Sequence, residues 1–285
     1  MGKWLVKPPR PVLQRGHPLA RGLILAVPMW ERAGRVFPNN NASVYDQVYG
    51  LPGTFDTDGV TYPTWTVGQL GHAVDFDAAE NDRIDFGSHA RLQVQQHSFA
   101  MWIKLAAAAA TGGLISRQNI VSDGWEWEVQ GGVLAYAYFD GAVRGWYLGT
   151  GAVPVGSWAL VAGVWRQAAG AVDFYIDGKL DASVATTTGT ITHNAGRSMF
   201  LGSRQGGANW VGQVGAAWLW NRCLTATEVR GLFHDPWGMY RQRFMAQSDP
   251  FGLMSGLGLA PAAAVAQRLQ RDNIIAEWWR RRAFR

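Results

Sequence analysis

A period of two constrains this chain more than any other feature. Ser98-Phe-Ala-Met-Trp-Ile-Lys-Leu105 sets Phe99, Met101, Ile103 and Leu105 against Ala100, Trp102 and Lys104. Trp125-Glu-Trp-Glu-Val129 alternates in the same way, and Leu134-Ala-Tyr-Ala-Tyr-Phe139 follows the turn signal Gly131-Gly132. Successive strand side chains point to opposite faces, so such runs read as strands with two unlike faces. Trp158 to Trp165, Ala171 to Ile176, Lys179 to Val184, Met199 to Gly202 and Val214 to Trp220 complete the set. Asp177-Gly178 marks a tight hairpin turn between two of them. Many short strands with glycine turns predict an all-β sandwich or barrel. The exception is Thr225-Ala-Thr-Glu228, a capping box that opens a short helix to about Phe233.

The ends of the chain differ from this body. Residues 1–21 carry five basic residues and no acid, residues 22–248 carry 15 basic and 18 acidic residues, and residues 249–285 carry six arginines and three acids. The net charge of +5 therefore divides into a slightly acidic body between two basic ends, which argues against a uniformly basic nucleic-acid-binding domain. Pro8, Pro9, Pro11 and Pro18 predict an extended N-terminal arm over 1–21. The sandwich is expected over 22–245. Residues 246–285 read as a glycine- and proline-bearing linker, then an amphipathic helix over 262–284 that ends in Arg280, Arg281 and Arg282, where cations suit the helix dipole. Apolar stretches are too short to span a bilayer, and the N-terminus has no apolar signal core, so no membrane partner is expected. The single Cys223 excludes a disulfide framework and a multi-cysteine zinc site.

The order of the motifs resembles one family. Gly71-His-Ala-Val-Asp-Phe-Asp77 with Arg83-Ile-Asp-Phe-Gly87 is similar to the early strands of laminin-G-like, concanavalin-A-like domains. Ser98 to Lys104 resembles their aromatic strand. Gly156-Ser-Trp158 through Val164, followed by Phe174-Tyr-Ile-Asp-Gly-Lys179, resembles their central hairpin. Gly212-Gln-Val through Trp220-Asn-Arg-Cys-Leu-Thr-Ala-Thr-Glu228 resembles their closing strand and helix. The resemblance covers about Gly22 to Tyr240. It implies a jelly-roll sandwich of two antiparallel sheets and says little about chemistry, because the fold hosts lectins, glycosidases, adhesion modules and virion proteins. The flanks Gly16-His-Pro-Leu-Ala-Arg-Gly-Leu23 and Asp235-Pro-Trp-Gly-Met-Tyr-Arg241 look like those of tailed-phage virion proteins carrying this domain.

Candidate sites follow from the residues. Glu126 and Glu128 lie two apart on one strand, with carboxyls roughly 6–7 Å apart by strand rise, in the range of glycosidase pairs. The family's glucanases resemble this with three acids on a strand, and here Gln130 takes the third place; the alternative is a solvated strand face. Asp75, Asp77, Asn81, Asp82 and Asp85 form an oxygen-rich stretch suited to calcium, although Gly215 stands where calcium-binding relatives place an acid. No other cofactor is expected. Tyr136, Tyr138, Trp146, Tyr147 and Trp210, with Glu126, Glu128 and Arg144, are candidates to floor a glycan groove; the alternative is core packing. Cys223 reads as a packing residue. Histidines 17, 72, 89, 97, 193 and 234 show no metal or triad spacing, and Gly112-Gly113 and Gly206-Gly207 are turn glycines.

The leading expectation is a non-enzymatic structural protein of a phage virion, made in the host cytoplasm, and more narrowly a capsid decoration or cement protein. Its arms would bind major capsid protein, other virion proteins or neighbouring copies in a symmetric homo-oligomer. Trp4, Leu5, Arg10, Arg15, Arg271, Trp278, Trp279, Arg280, Arg281 and Arg282 are the candidate partner-binding residues. A glycan-binding module of a tail fibre or spike is the alternative, and a glycoside hydrolase a third reading.

Overall fold

The computed structural model describes residues 11–30, 43–57, 62–77, 81–107, 111–119, 122–204 and 210–242, all within one unit that ends at Gln242. In chain order its strands are β1 (Pro11–Leu13), β2 (Leu23–Val27), β3 (Ser43–Tyr45), β4 (Pro52–Asp56), β5 (Thr64–Gly68), β6 (Gly71–Phe76), β7 (Arg83–Asp85), β8 (His97–Leu105) and β9 (Gly112–Asn119). They continue with β10 (Asp123–Gln130), β11 (Val133–Asp140), β12 (Val143–Ala152), β13 (Trp158–Arg166), β14 (Ala171–Ile176), β15 (Lys179–Ala185), β16 (Phe200–Leu201), β17 (Gly212–Trp220) and β18 (Tyr240–Gln242). Helix α1 spans Ala226–His234.

Two eight-stranded antiparallel sheets result, as the alternating pattern requires. The first has the order β12-β11-β10-β9-β16-β7-β4-β3. The second has the order β15-β14-β13-β8-β17-β6-β5, with β2 also paired to β17. This is the expected jelly-roll sandwich, and β1 with β18 adds a separate two-stranded ladder.

The two predicted faces of β8 go to two different cores. Phe99, Met101, Ile103 and Leu105 point between the sheets, where they meet Trp125, Trp127, Val129, Tyr136 and Tyr138 of the first sheet. Ala100 and Trp102 point outward, beneath Val229 and Leu232 of α1 and Trp237, Met239 and Tyr240. The central strands β8, β13 and β17 of the second sheet are thus buried on both sides, which explains their nearly continuous apolar sequences. Each large side chain removed from water contributes about 1.5–3 kcal/mol. A glycine makes room for one of them: a Cβ at Gly163 would overlap the ring of Trp127, which stacks against Phe99 and Tyr136 at 4.7 and 4.2 Å between centroids.

Local signals explain the connections. Asp177 and Gly178 take φ of 50° and 74° in the β14–β15 hairpin, as the Asp-Gly pair predicts. Thr225 caps α1 by accepting from the Glu228 backbone N–H, while the Glu228 carboxylate accepts from the Thr225 N–H. Glu228 also pairs with Arg222 at 2.6 Å.

The chain joins the sandwich before Gly22. Val12 pairs with Arg241 and Leu13 with Tyr240 in the β1–β18 ladder. Leu19 is buried, and its carbonyl accepts from the Trp220 indole at 2.6 Å. Residues 1–10 and 243–285, including the expected C-terminal helix, lie outside the described residues.

Candidate functional site

The glutamates of β10 lie on the face of the first sheet opposite the core. Their cross-strand neighbours are small: Ala137 and Ser116 flank Glu126, while Ala135 and Gly113 flank Glu128. Chain from far along the sequence covers this shallow floor. A Cβ on Gly113 would fall 2.7 Å from the Ser203 carbonyl carbon and 2.9 Å from the Arg204 nitrogen, so the Ser203–Arg204 backbone crosses directly above it. Ser116 fastens this crossing by donating its hydroxyl to the Ser203 carbonyl at 2.8 Å.

Arg204 then turns its guanidinium onto both acids. Its Nη1 lies 3.2 Å from Glu126 Oε1 and 3.5 Å from Glu128 Oε2. The guanidinium carbon also stands 5.5 Å from the centre of the Trp146 ring, a cation–π distance. Gln118 donates its amide to Glu126 Oε2 at 2.5 Å. Both glutamate side chains are 0% exposed, against 23% for Arg204. The solvated strand face considered from the sequence is therefore corrected: the acids look away from the core but lie under a lid of backbone and arginine.

Burial sets their charge. Loss of water, then repulsion by Glu126, pushes the Glu128 carboxyl up to about 8. Burial raises Glu126 as well, opposed by the Arg204 charge and the Arg204 and Gln118 hydrogen bonds. One proton between the two acids, with neutral Glu128 donating to the Glu126 carboxylate, satisfies the pair and leaves one negative charge for Arg204. General acid catalysis requires the carboxyl to reach the leaving oxygen within about 3 Å. At zero exposure, no saccharide reaches either oxygen in this arrangement.

The expected aromatic floor is also corrected. Tyr136, Tyr138 and Trp210 are fully buried in the core between the sheets. Their Ala135 and Ala137 neighbours occupy the outer face instead. Trp146 and Tyr147 remain half-buried, and the Tyr147 hydroxyl lies 3.2 Å from Thr187 Oγ1; the Arg144 side chain lies outside the description. Beyond the strand ends, Gln96, Gln167, Ala168, Thr188, Gly189 and Thr190 line an open polar cleft of about 480 Å³. Gln167 donates to the Gly189 carbonyl at 2.8 Å, which fixes one wall.

The calcium candidates do not converge. Asp75 lies on β6 of the second sheet and Asp85 on β7 of the first. Asp82 is buried and accepts from the Asp77 N–H at 2.9 Å, while Asp85 accepts from the Gly87 N–H at 2.6 Å. Among the described residues no three acidic, histidine or cysteine side chains are grouped to hold a metal. Half-buried Cys223 lies 3.5 Å from the Trp165 carbonyl, with its thiol raised by burial. Arg15 donates to the Val48 carbonyl at 3.1 Å. The other partner-binding candidates, Trp4, Leu5, Arg10, Arg271, Trp278, Trp279, Arg280, Arg281 and Arg282, lie outside the described residues.

Sequence reasoning missed Arg204, Gln118 and His97. His97 sits among Trp125, Trp127, Tyr136 and Trp165, and burial lowers it to about 3. Its Nδ1–H donates to the Gln95 carbonyl at 2.8 Å, a bond that opposes the shift without overcoming burial. No local spacing announced these residues, because each partner arrives from a distant strand or loop.

Two curved antiparallel sheets, an acid-bearing outer face and a capping helix define a jelly-roll sandwich of the lectin type. The chain belongs to the concanavalin A-like lectin/glucanases superfamily, whose laminin G-type family model matches residues 78–230. No curated protein sequence matches it. Among solved structures it is similar to domain 4 of AbnA, an extracellular family-43 arabinanase of Geobacillus stearothermophilus, in complex with arabinotriose. That match has a TM-score of 0.57 and 20% identity, and covers 74% of this chain and 97% of that one. It is also similar to the binding domain of Paraclostridial Mosquitocidal Protein 1, with a TM-score of 0.56, 14% identity and coverage of 75% and 52%. The binding domain of botulinum neurotoxin serotype G matches with a TM-score of 0.54 and 15% identity, over 74% of this chain and 50% of that one. The chain thus spans about half the length of these two toxin binding domains. These likenesses show the fold. No helix among the described residues is long and apolar enough to cross a membrane.

Proposed function

We propose that the protein is a non-catalytic binding module of a tailed-phage virion, most specifically a capsid decoration protein whose basic terminal segments hold it to its neighbours. The observation that carries the non-catalytic part is the sealed state of Glu126 and Glu128, buried and tied to Arg204. The virion part rests on the flanking segments that resemble such proteins and on the separation of charge into two basic ends and a slightly acidic body. Fractionating an infected-cell lysate into capsids, tails and free protein tests it: the chain is expected with capsids. Recovery only as free protein would remove the virion reading.

A second reading, recognition of host glycans, is favoured by the polar cleft between Gln96, Gln167 and Thr188–Thr190, whose amides and hydroxyls match neutral sugar hydroxyls. A glycan array would reveal saturable binding that Gln96→Ala with Thr188→Ala abolishes. Hydrolysis of any polysaccharide in a reducing-sugar assay, lost in Glu126→Gln, would overturn the non-catalytic reading.

A further inference from the structure

Two exposed arginines and two half-exposed tyrosines gather around one turn of the described surface. The turn between β3 and β4 is gripped from both sides. Arg15, two residues beyond β1, donates to the Val48 carbonyl at 3.1 Å, and Arg91 places its guanidinium 4.0 Å from the centre of the Tyr49 ring. Both arginines are exposed. Tyr45 and Tyr49, at the two ends of the turn, are 49% and 48% exposed.

Among the described residues, the acid of this turn and two acids at the ends of α1 are occupied by the fold. Asp46 is buried at the base of the turn, where its carboxylate accepts from the N–H groups of Ala26, Val48 and Tyr49 at 2.7, 3.0 and 2.7 Å. Glu228 is paired with Arg222. Asp235 accepts from the Trp237 N–H at 3.2 Å. The cations that face solvent here therefore have no carboxylate of these three to answer them.

The same region is where both ends of the described chain meet. The β1–β18 register sets Pro11 opposite Gln242, and the Gln14 N–H donates to the Met239 carbonyl at 2.9 Å. Lys3, Lys7 and Arg10 precede this ladder in sequence and Arg243 follows it. Antiparallel pairing thus sets the two ends of the described chain side by side, two residues from Arg15.

We propose that the arginine-gripped turn at Val48–Tyr49, flanked by Arg15 and Arg91, forms a cationic docking surface, and that its partner is an acidic protein surface. The reading adds a surface of the sandwich to the proposed attachment role, and it rests on that role. Arginine and tyrosine are the residues on which interface energy concentrates. A guanidinium pairs with carboxylates through two parallel hydrogen bonds. Two arginines beside two tyrosines make a small discrete patch on a slightly acidic body, which suits a local acidic protein surface better than the extended phosphate backbone of a nucleic acid.

The test is fluorescence anisotropy with the full chain and three probes: a labelled decapeptide of alternating Glu and Asp, its Gln/Asn counterpart, and a labelled duplex oligonucleotide. The acidic peptide is expected to bind most tightly. The variant Arg15→Glu/Arg91→Glu/Tyr49→Ala is expected to weaken it at least tenfold. The control Lys179→Glu/Arg230→Glu changes two exposed cations by the same charge and is expected to change affinity less than twofold. Thermal melts and circular dichroism confirm that both variants fold; if the triple variant does not, Tyr49→Ala with Arg91→Gln replaces it, with an expected threefold loss. Equal weakening by the control, no preference for the acidic peptide, or tighter binding of the duplex would overturn the proposal. Loss of the peptide preference while the chain still fractionates with capsids would refute this surface and leave the virion reading standing.

Discussion

At the scale of single residues, the acid pair behaves as a proton store inside the fold. The folded chain holds a proton on Glu128 up to about pH 8, whereas the unfolded chain releases it near the ordinary value of 4.5. Between those values the native state binds more protons, so this contribution is complete below pH 4.5 and is lost as pH rises through 8. His97 acts in the opposite sense. Its folded value near 3 means that the unfolded state takes up the proton first, so its neutral burial costs stability as pH falls below 6.5. Glu128→Gln is expected to abolish the alkaline slope, so that the variant exceeds the wild type at pH 9 by about 1–3 kcal/mol. Urea titrations from pH 5 to pH 9 measure this, and parallel curves for the two proteins would refute the shared proton. Arg204→Met removes the cation that, among the described residues, pairs with these acids and is expected to cost about 1–3 kcal/mol at pH 7, less than for a rigidly charged pair because the acids can take up a second proton.

At the scale of elements, the strands were largely legible and their coverings were not. Phe99, Met101, Ile103 and Leu105 announced their face by alternation, and the capping box at Thr225 announced α1. The same alternation placed Glu126 and Glu128 together on one face. Their burial was hidden, because the lid is Ser203–Arg204 and no residue near β10 signals it. Tyr136 and Tyr138 were assigned to a ligand groove for a related reason. Alternation with Ala135 and Ala137 tells that two faces differ, but not which one meets the second sheet. The pairing of β10 with β11 sets Tyr136 beside Trp127, and the packing of Trp127 on Phe99 and Phe174 of the second sheet decides the face. Close approach at Gly163 is equally non-local, since the ring it admits comes from Trp127 across the core. Gly163→Ala is therefore expected to destabilise by about 3 kcal/mol through overpacking. Thr225→Ala is expected to cost about 1 kcal/mol by removing one cap from α1. Chemical denaturation compares the two, and a Gly163→Ala cost below that of Thr225→Ala would contradict the packing assigned to Trp127.

At the scale of the whole molecule, two kinds of surface are set apart. Among the described residues the sandwich packs most of its large aromatic side chains inward and buries Glu126 and Glu128. The exposed arginines and tyrosines around Val48–Tyr49 lie close to the β1–β18 ladder, which joins the two ends of the described chain. Residues 11–21 are tied to the sandwich through β1, Leu19 and Arg15, so removing residues 1–10 and 243–285 spares the ladder.

The most direct measurement is the fraction of protein that sediments with purified capsids for the full chain and for residues 11–242, at matched concentration and with folding verified by thermal melts. The full chain is expected to sediment with particles, and the truncated chain is expected to lose at least tenfold in particle-bound fraction while melting as a folded sandwich. A folded 11–242 chain that binds capsids as well as the full chain would contradict the account.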